Sequence, residues 1–319
     1  VVIVAIGGRE YSPTEYLYGL DPRVMTQREL EEILAGRRQE IRAKKSVVMI
    51  QCVGSRDEER PYCSRICCST AIKNALKIKE ISPETAVFIL YRDLRAYGFK
   101  EASYRTARDK GVIFLRYEDD RKPDVSQKDG LRVKLHDPVL ARDVAINADL
   151  VVLSTGILPA EDTKEIGQLY KISLNQDGFF LEAHLKLRPV DFATEGVFLC
   201  GLAHSPKGVD EAIIQASGAA SRASTILAKE EIPLEAAVSQ PLDDNCDGCA
   251  YCIDPCPFKA LTLIEYMSDG AIKKTVEVDP SICKGCGVCQ ATCPKKGIYV
   301  KNFKLEQLSA MVDAALEVA

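Results

Sequence analysis

Short apolar runs and helically spaced segments alternate along the first half of the chain. Val47–Gln51, Ala86–Tyr91, Val112–Leu115 and Asp149–Ser154 read as strands, with helical spacing between them at Thr70–Ile81 and near Lys100–Lys110. The first helix must stop before Pro83. The stretch MTQRELEEILAGRR predicts another helix, with Thr26 as N-cap, Glu29 at capping-box spacing and Gly36 as a closing residue. Asp129-Gly130 marks a hairpin turn. Strands that alternate with helices predict an α/β fold built on a parallel sheet.

A second strand, loop and long helix follow in TEGVFLCGLAHSPKGVDEAIIQASGAASRASTILA. The small residues of that helix would let it pack closely on a sheet. IPLEAAVSQPLDD reads as a linker, and from Asp244 to Asn302 regular patterning gives way to cysteine, proline and glycine. Residues 303–319 predict a terminal helix, with Leu305, Leu308, Met311 and Leu316 near helical spacing.

A chain of 319 residues has room for two or three domains. The net charge of -4 argues against a nucleic-acid partner, because phosphate binding wants a basic face. No apolar run approaches the roughly 18 residues that a bilayer span needs. The opening VVIVAIGGRE reads as strand and turn without a leader, which predicts a cytoplasmic protein whose chain starts inside a domain. Thirteen cysteines change the picture. Twelve fall into tight clusters and Cys200 stands alone, an odd count that fits disulfides poorly and soft-ligand metal well.

CDGCAYCIDPCP and CKGCGVCQATCP each follow C-x2-C-x2-C-x3-C-P. In this run three cysteines bind one [4Fe–4S] cluster and the fourth serves the other. The rule groups Cys246, Cys249, Cys252 and Cys293 around one cluster, and Cys283, Cys286, Cys289 and Cys256 around the second. Zinc ribbons also use C-x2-C, but need two pairs per site rather than two runs of four with a trailing proline. The runs form an internal repeat: a shift of 37 residues takes Cys246 to Cys283, and Leu261 and Leu263 to Ile298 and Val300. Those apolar pairs are expected to form a small core over the clusters.

The loop after Val47–Gln51 holds a third set, Cys52, Cys63, Cys67 and Cys68. A dinucleotide-binding unit would have a glycine-rich loop there, and this one has only Gly54. Cys67 and Cys68 stand just before a helix expected to begin near Ser69, where free amides favour negative charge. Arg56, Arg60 and Arg65 add positive charge. The pattern is compatible with a third cluster, a redox disulfide, or thiols that merely pack. Lys73 lies in the first turns of that helix, off the apolar line, and reads either as functional or as a solvated lysine like Lys77 and Lys79.

QCVGSRDEERPYCSRICCSTAIKNALK resembles the HdrA-type component of heterodisulfide reductase, an iron–sulfur flavoprotein of methanogenic archaea and other anaerobes. VVIVAIGGREYSPTEYLYG, TQREL, ADLVVLSTGILP and the two terminal runs fit the same family. The resemblance implies thioredoxin-reductase-like Rossmann-type domains followed by a bacterial-type two-cluster ferredoxin domain. It also implies three [4Fe–4S] clusters, the third held by Cys52, Cys63, Cys67 and Cys68, and FAD faced by Lys73 in a catalytic role. TEGVFLCGLAHSPKGVDEAIIQASGAASRA resembles the family's second flavin motif, which implies flavin contacts from Gly201, Lys207, Gly208, Val209 and Gln215. The family's Gly-Asp is Gly201-Leu202 here, so the Asp contact is missing. No G-x-G-x-x-G motif occurs; in the family it lies upstream, so the resemblance is to the C-terminal half.

The domain boundaries expected on this basis are 1–45, a connection from an upstream flavin-binding half; 46–157, a Rossmann-like domain with the cysteine loop; 158–236, the end of an FAD-binding domain; 240–302, the ferredoxin domain; and 303–319, a helix. The implied function is electron transfer between FAD and clusters, with flavin-based bifurcation coupling ferredoxin reduction to disulfide reduction on another subunit. The implied partners are disulfide-reducing subunits, an electron-input subunit of hydrogenase or formate dehydrogenase type, ferredoxin, and a chain carrying the rest of the FAD site. Rival readings are a subunit of a quinone-interacting membrane-associated oxidoreductase, an NAD(P)H-dependent flavin reductase with an attached ferredoxin, and a structural cluster scaffold.

Overall fold

The computed structural model describes residues 1–127, 130–231, 237–268 and 270–317. The chain falls into two units, Val1–Ser224 and Thr225–Ala319.

The first unit is organised by strand Ser46–Val53. Its Val47 and Met49 face one core and its Val48 and Ile50 the other, all four fully buried. Burial on both faces is why this strand reads as an unbroken apolar run, and it requires a sheet covered on both sides. Five parallel strands supply that sheet, in the order Val24–Thr26, Leu150–Thr155, Ser46–Val53, Ala86–Tyr91, Ile113–Arg116. Helices Gln27–Gly36, Cys67–Ile81 and Glu101–Asp109 cover one face through Leu30, Ile33, Ile72, Ile78 and Ala107.

The other face carries three antiparallel strands, Asp124–Ser126, Leu131–Asp137 and Arg142–Ala148. Leu131, Val133 and Leu135 point into the core while Arg132 and Lys134 face solvent, the alternation of a half-buried strand. Asp129 of the expected turn lies outside the described residues, and the strands flanking it pair as a hairpin would.

The capping box is present: the Glu29 amide donates to Thr26 Oγ1 at 3.3 Å and the Thr26 amide to Glu29 Oε2 at 2.7 Å. Helix Cys67–Ile81 begins two residues before the expected Ser69. Ile66 is already in the right-handed helical region and no side chain caps the end, so the helix extends back over both cysteines.

The rest of this unit pairs Val2–Val4 with Val197–Leu199 in parallel and Gly8–Glu10 with Ile157–Pro159 in antiparallel fashion. Phe180 and Phe192 meet edge to face in its core. The long helix spans Val209–Leu227, but only Ala219 and Ala223 are buried, so its small residues do not form the close sheet contact expected of them.

In the second unit Ser239–Pro241 pairs with Ile298–Val300, and Leu261–Ser268 with Ala271–Val278, both antiparallel. The core is made largely of cysteine: Cys252, Cys256, Cys283 and Cys289 pack with Leu261, Val276 and Ile298. Leu263 departs from expectation and is 38 % exposed, because its hairpin runs out past this small core. Residues 232–236 of the expected linker are outside the described residues. The terminal helix forms at Leu305–Glu317 and buries no residue. Among the described residues no helix is long and apolar enough to cross a membrane.

Candidate iron–sulfur and flavin sites

The two cysteine runs of the second unit interleave. One small cavity is lined by Cys246, Cys249 and Cys252 of the first run and Cys293 of the second. Another is lined by Cys283, Cys286 and Cys289 of the second run and Cys256 of the first. The exchange of the fourth cysteine is the arrangement a two-cluster ferredoxin requires. Backbone amides already point at sulfur: Ser239 N–H lies 3.3 Å from Cys283 Sγ and Gly297 N–H 3.2 Å from Cys293 Sγ. The Ser239 hydroxyl is 3.0 Å from Cys289 Sγ. Gly285 has φ +60°, and a Cβ there would fall 2.0 Å from the Ala237 carbonyl oxygen, so the loop closes only with glycine. Burial pushes the Cys252 thiol up to about 11 and raises Cys289 as well. A metal that draws off those protons relieves that cost.

In the first unit Cys52 is the penultimate residue of strand Ser46–Val53, at the carboxyl edge of the parallel sheet where ligands of open α/β folds bind. The loop that follows is braced internally. Arg60 Nε donates to the Gly54 carbonyl at 2.9 Å, the Arg56 amide to the Tyr62 carbonyl at 3.1 Å, and Ser55 Oγ to the same carbonyl at 3.0 Å. Tyr62 and Ser64 tie it to the strand opposite, through the carbonyl and amide of Ile157 at 3.0 and 2.8 Å. Gly54, at φ +65°, lies under the Tyr11 ring, 2.0 Å from where a Cβ would sit.

This frame brings Cys52, Cys63, Cys67 and Cys68 within electrostatic reach of one another. Burial, with the charge of Cys68, pushes Cys52 up to about 11. Cys67 donates a hydrogen bond to Cys68, which raises Cys67 and lowers Cys68 to about 7. The Arg65 amide meets Cys63 Sγ at 3.3 Å. Of the three arginines, only Arg56 places its guanidinium at a cysteine, 4.0 Å from Cys52 Sγ. Arg60 turns to Asp57 and Glu59, and Arg65 to Glu211 and Tyr97.

Among the described residues no three or more His, Cys, Asp or Glu side chains gather around a point as a single metal ion would need. In the second unit the thiols instead line two small cavities, four to each. Next to the loop cysteines, the Gln51 carboxamide and the Ser69 hydroxyl are buried without a hydrogen-bond partner in the protein. Such groups can bond to sulfide. The two sets of the second unit are each arranged for a cluster, and the loop set offers four thiols with unpartnered polar groups beside them.

Lys73 turns to helix Gln27–Gly36. Its ammonium is paired with Glu31 at 2.6 Å and its side chain is 64 % exposed. Beside it, buried Asn74 bonds Gln27, which in turn donates to Ser154. Gly201, Lys207 and Gln215 do come together: Lys207 Nζ reaches Gln215 Oε1 at 2.8 Å and the Gly201 carbonyl at 3.0 Å, and the Gly201 amide donates to Gln215 Oε1 at 2.8 Å.

His204, which sequence reasoning passed over, joins them through Nδ1 at 3.0 Å from Lys207 and 2.9 Å from Gln215. Its only signal in the sequence was its rarity, as one of three histidines, in the loop between strand and helix. Burial lowers Lys207 to about 8 and also lowers His204. His204, Lys207 and Gln215 line a groove of about 740 Å³ with Arg65, Glu182 and Ile214. Val209 opens the following helix and is exposed, and Gly208 is held close to the Asp210 carboxylate.

Residues 245–297 match the 4Fe-4S dicluster domain. Over 99 % of its length the chain is 39 % identical to a component of the H(2):CoB-CoM heterodisulfide,ferredoxin reductase of Methanothermobacter thermautotrophicus, covering 49 % of that protein. The CoB--CoM heterodisulfide reductase iron-sulfur subunit of Methanocaldococcus jannaschii is 38 % identical over 99 % of this chain and 50 % of its own length. The chain is similar to HdrA-type components of heterodisulfide reductases. It spans about half the length of the curated relatives it matches. The thioredoxin reductase of T. acidophilum covers 71 % of the chain at 14 % identity with a TM-score of 0.46, too slight a likeness to carry an argument.

Proposed function

We propose that this chain is an electron-transfer iron–sulfur flavoprotein subunit of a heterodisulfide-reductase-type complex. The observation that carries the reading is the exchange of the fourth cysteine between the two cavities of the second unit. Cys246, Cys249, Cys252 and Cys293 hold one [4Fe–4S] cluster, Cys283, Cys286, Cys289 and Cys256 a second, and Cys52, Cys63, Cys67 and Cys68 a third. FAD lies against the Gly201, His204, Lys207 and Gln215 group, with Gly208 and Val209 at the helix start beside it and Lys73 a further contact. Bound clusters supply one-electron transfer and a bound flavin joins one- and two-electron chemistry.

The protein's part is to hold and orient. Cys68, already the most acidic of the loop thiols whose values are shifted, is the ligand most readily presented as thiolate. Lys207, buried and lowered to about 8, brings to the groove a cation that a negatively charged ligand would stabilise. The finer reading is flavin-based bifurcation, in which ferredoxin reduction is coupled to heterodisulfide reduction on a partner subunit. The electrons enter from a subunit of hydrogenase or formate dehydrogenase type. The relatives' names carry ferredoxin and heterodisulfide, and they support this choice of partners.

Mixing the anaerobically reconstituted chain with reduced ferredoxin tests it. Reversible bleaching of the cluster absorbance is expected, with none from NAD(P)H. Clusters that do not cycle, or that NAD(P)H reduces directly, would contradict the proposal.

A further inference from the structure

The loop site carries a charge arrangement that its ligand role alone does not need. Arg56 Nη1 lies 4.0 Å from Cys52 Sγ and the same guanidinium is ion-paired with Asp93. Arg56 is fixed along its length. Its backbone sits at φ +62°, its amide donates to Tyr62, and its carbonyl accepts from Arg92 Nη1 at 2.7 Å. Arg92 is itself anchored on Asp119 at 2.8 Å. The Arg56 side chain is only 18 % exposed, so water screens it weakly. Cys68 feels both members of this pair, Asp93 raising its thiol and Arg56 lowering it, and the Arg95 amide bonds that sulfur. The guanidinium thus reaches Cys52 directly, and its carboxylate partner lies beside the same set of thiols with the opposite charge.

We propose that the Arg56–Asp93 pair sets the reduction potential of a cluster held by Cys52, Cys63, Cys67 and Cys68, with Arg56 raising it and Asp93 holding it down. The proposal rests on the reading of these four cysteines as cluster ligands. Each one-electron reduction, by a low-potential donor such as ferredoxin, adds one negative charge to the set. The Arg56 guanidinium, donating toward Cys52 Sγ, favours the more negative state, and the Asp93 carboxylate disfavours it. Arg56 and Asp93 are positioning residues, since neither supplies a ligand.

The test is a dithionite redox titration of the full, anaerobically reconstituted chain followed by electron paramagnetic resonance, in wild type, Arg56→Gln, Arg56→Lys and Asp93→Asn. Arg56→Gln is expected to move the loop-cluster equilibrium at least threefold against reduction, about 28 mV for a one-electron couple. Asp93→Asn should move it the other way and Arg56→Lys should fall between wild type and Arg56→Gln. The two ferredoxin-type signals should stay in place. Shifts of the same sign in Arg56→Gln and Asp93→Asn would mark a loosened site and overturn the proposal, as would no shift at full iron content. If Arg56→Gln loses iron, Asp93→Asn decides: a positive shift supports the proposal and any other result overturns it. A wild-type chain with only about eight iron atoms, the content of two cubanes, overturns the underlying reading and the proposal with it.

Discussion

The two cysteine-bearing regions solve the same problem in opposite ways. In the 245–297 region the cysteines are the core, packed with a few apolar residues between short hairpins. In the first unit the loop cysteines sit at the rim of a sheet whose core is complete without them, from Leu30 and Met49 to Ile89 and Val152. The first kind of site folds around its metal. The second is held out by a scaffold that folds for other reasons, through bonds from Arg60, Tyr62 and Ser64.

Removing iron should separate the two most sharply. In the chelated, iron-free chain the second unit is expected to lose its amide protection from hydrogen exchange entirely, because metal binding is part of its folding energy. The five-stranded sheet should keep its protection. Equal survival of both would break the comparison.

Next in size is Cys68→Ala. One cluster's iron should disappear while the ferredoxin pair keeps its spectrum and the first unit still unfolds cooperatively. A smaller effect is expected from Ile89→Ala, which opens a cavity in a fully buried position and should destabilise the first unit by about 2–5 kcal/mol. Denaturant unfolding would read that loss, and the second unit's clusters should not respond.

The smallest effect probes the first unit's edge. Asp21 is buried and accepts from Arg23 at 2.9, 3.0 and 2.7 Å and from Gln127 at 2.7 Å. The Arg23 bonds hold its carboxyl well below the usual carboxylate range. A depressed folded value stabilises in full above the ordinary carboxylate pKa and drains away as pH falls toward the folded one. Asp21→Asn should therefore cost about 1 kcal/mol at neutral pH. The gap from wild type, followed by urea unfolding across pH, should close in acid below about pH 4.

What could be read in advance follows the same division. The grouping of the terminal cysteines, with the fourth exchanged between runs, was legible because short loops write their geometry into spacing, and the sheet was legible because Val47–Ile50 must be covered on both faces. The loop site was only half legible. Its four cysteines stood out, but which arginine reaches sulfur depends on partners distant in sequence: Asp93 for Arg56 and Glu211 for Arg65. His204 was missed because one histidine in a loop carries no pattern, and its place beside Lys207 and Gln215 exists only after folding. Leu263 was misplaced because a repeat in sequence does not say where a hairpin outruns its core.

The central claim is that the scaffold's rim holds a cluster of the same kind as the metal-built core. Iron and acid-labile sulfide per chain, measured on anaerobically reconstituted protein, test it most directly. About twelve of each, four per cubane, is the result this account predicts. About eight of each would leave only the ferredoxin pair and contradict it.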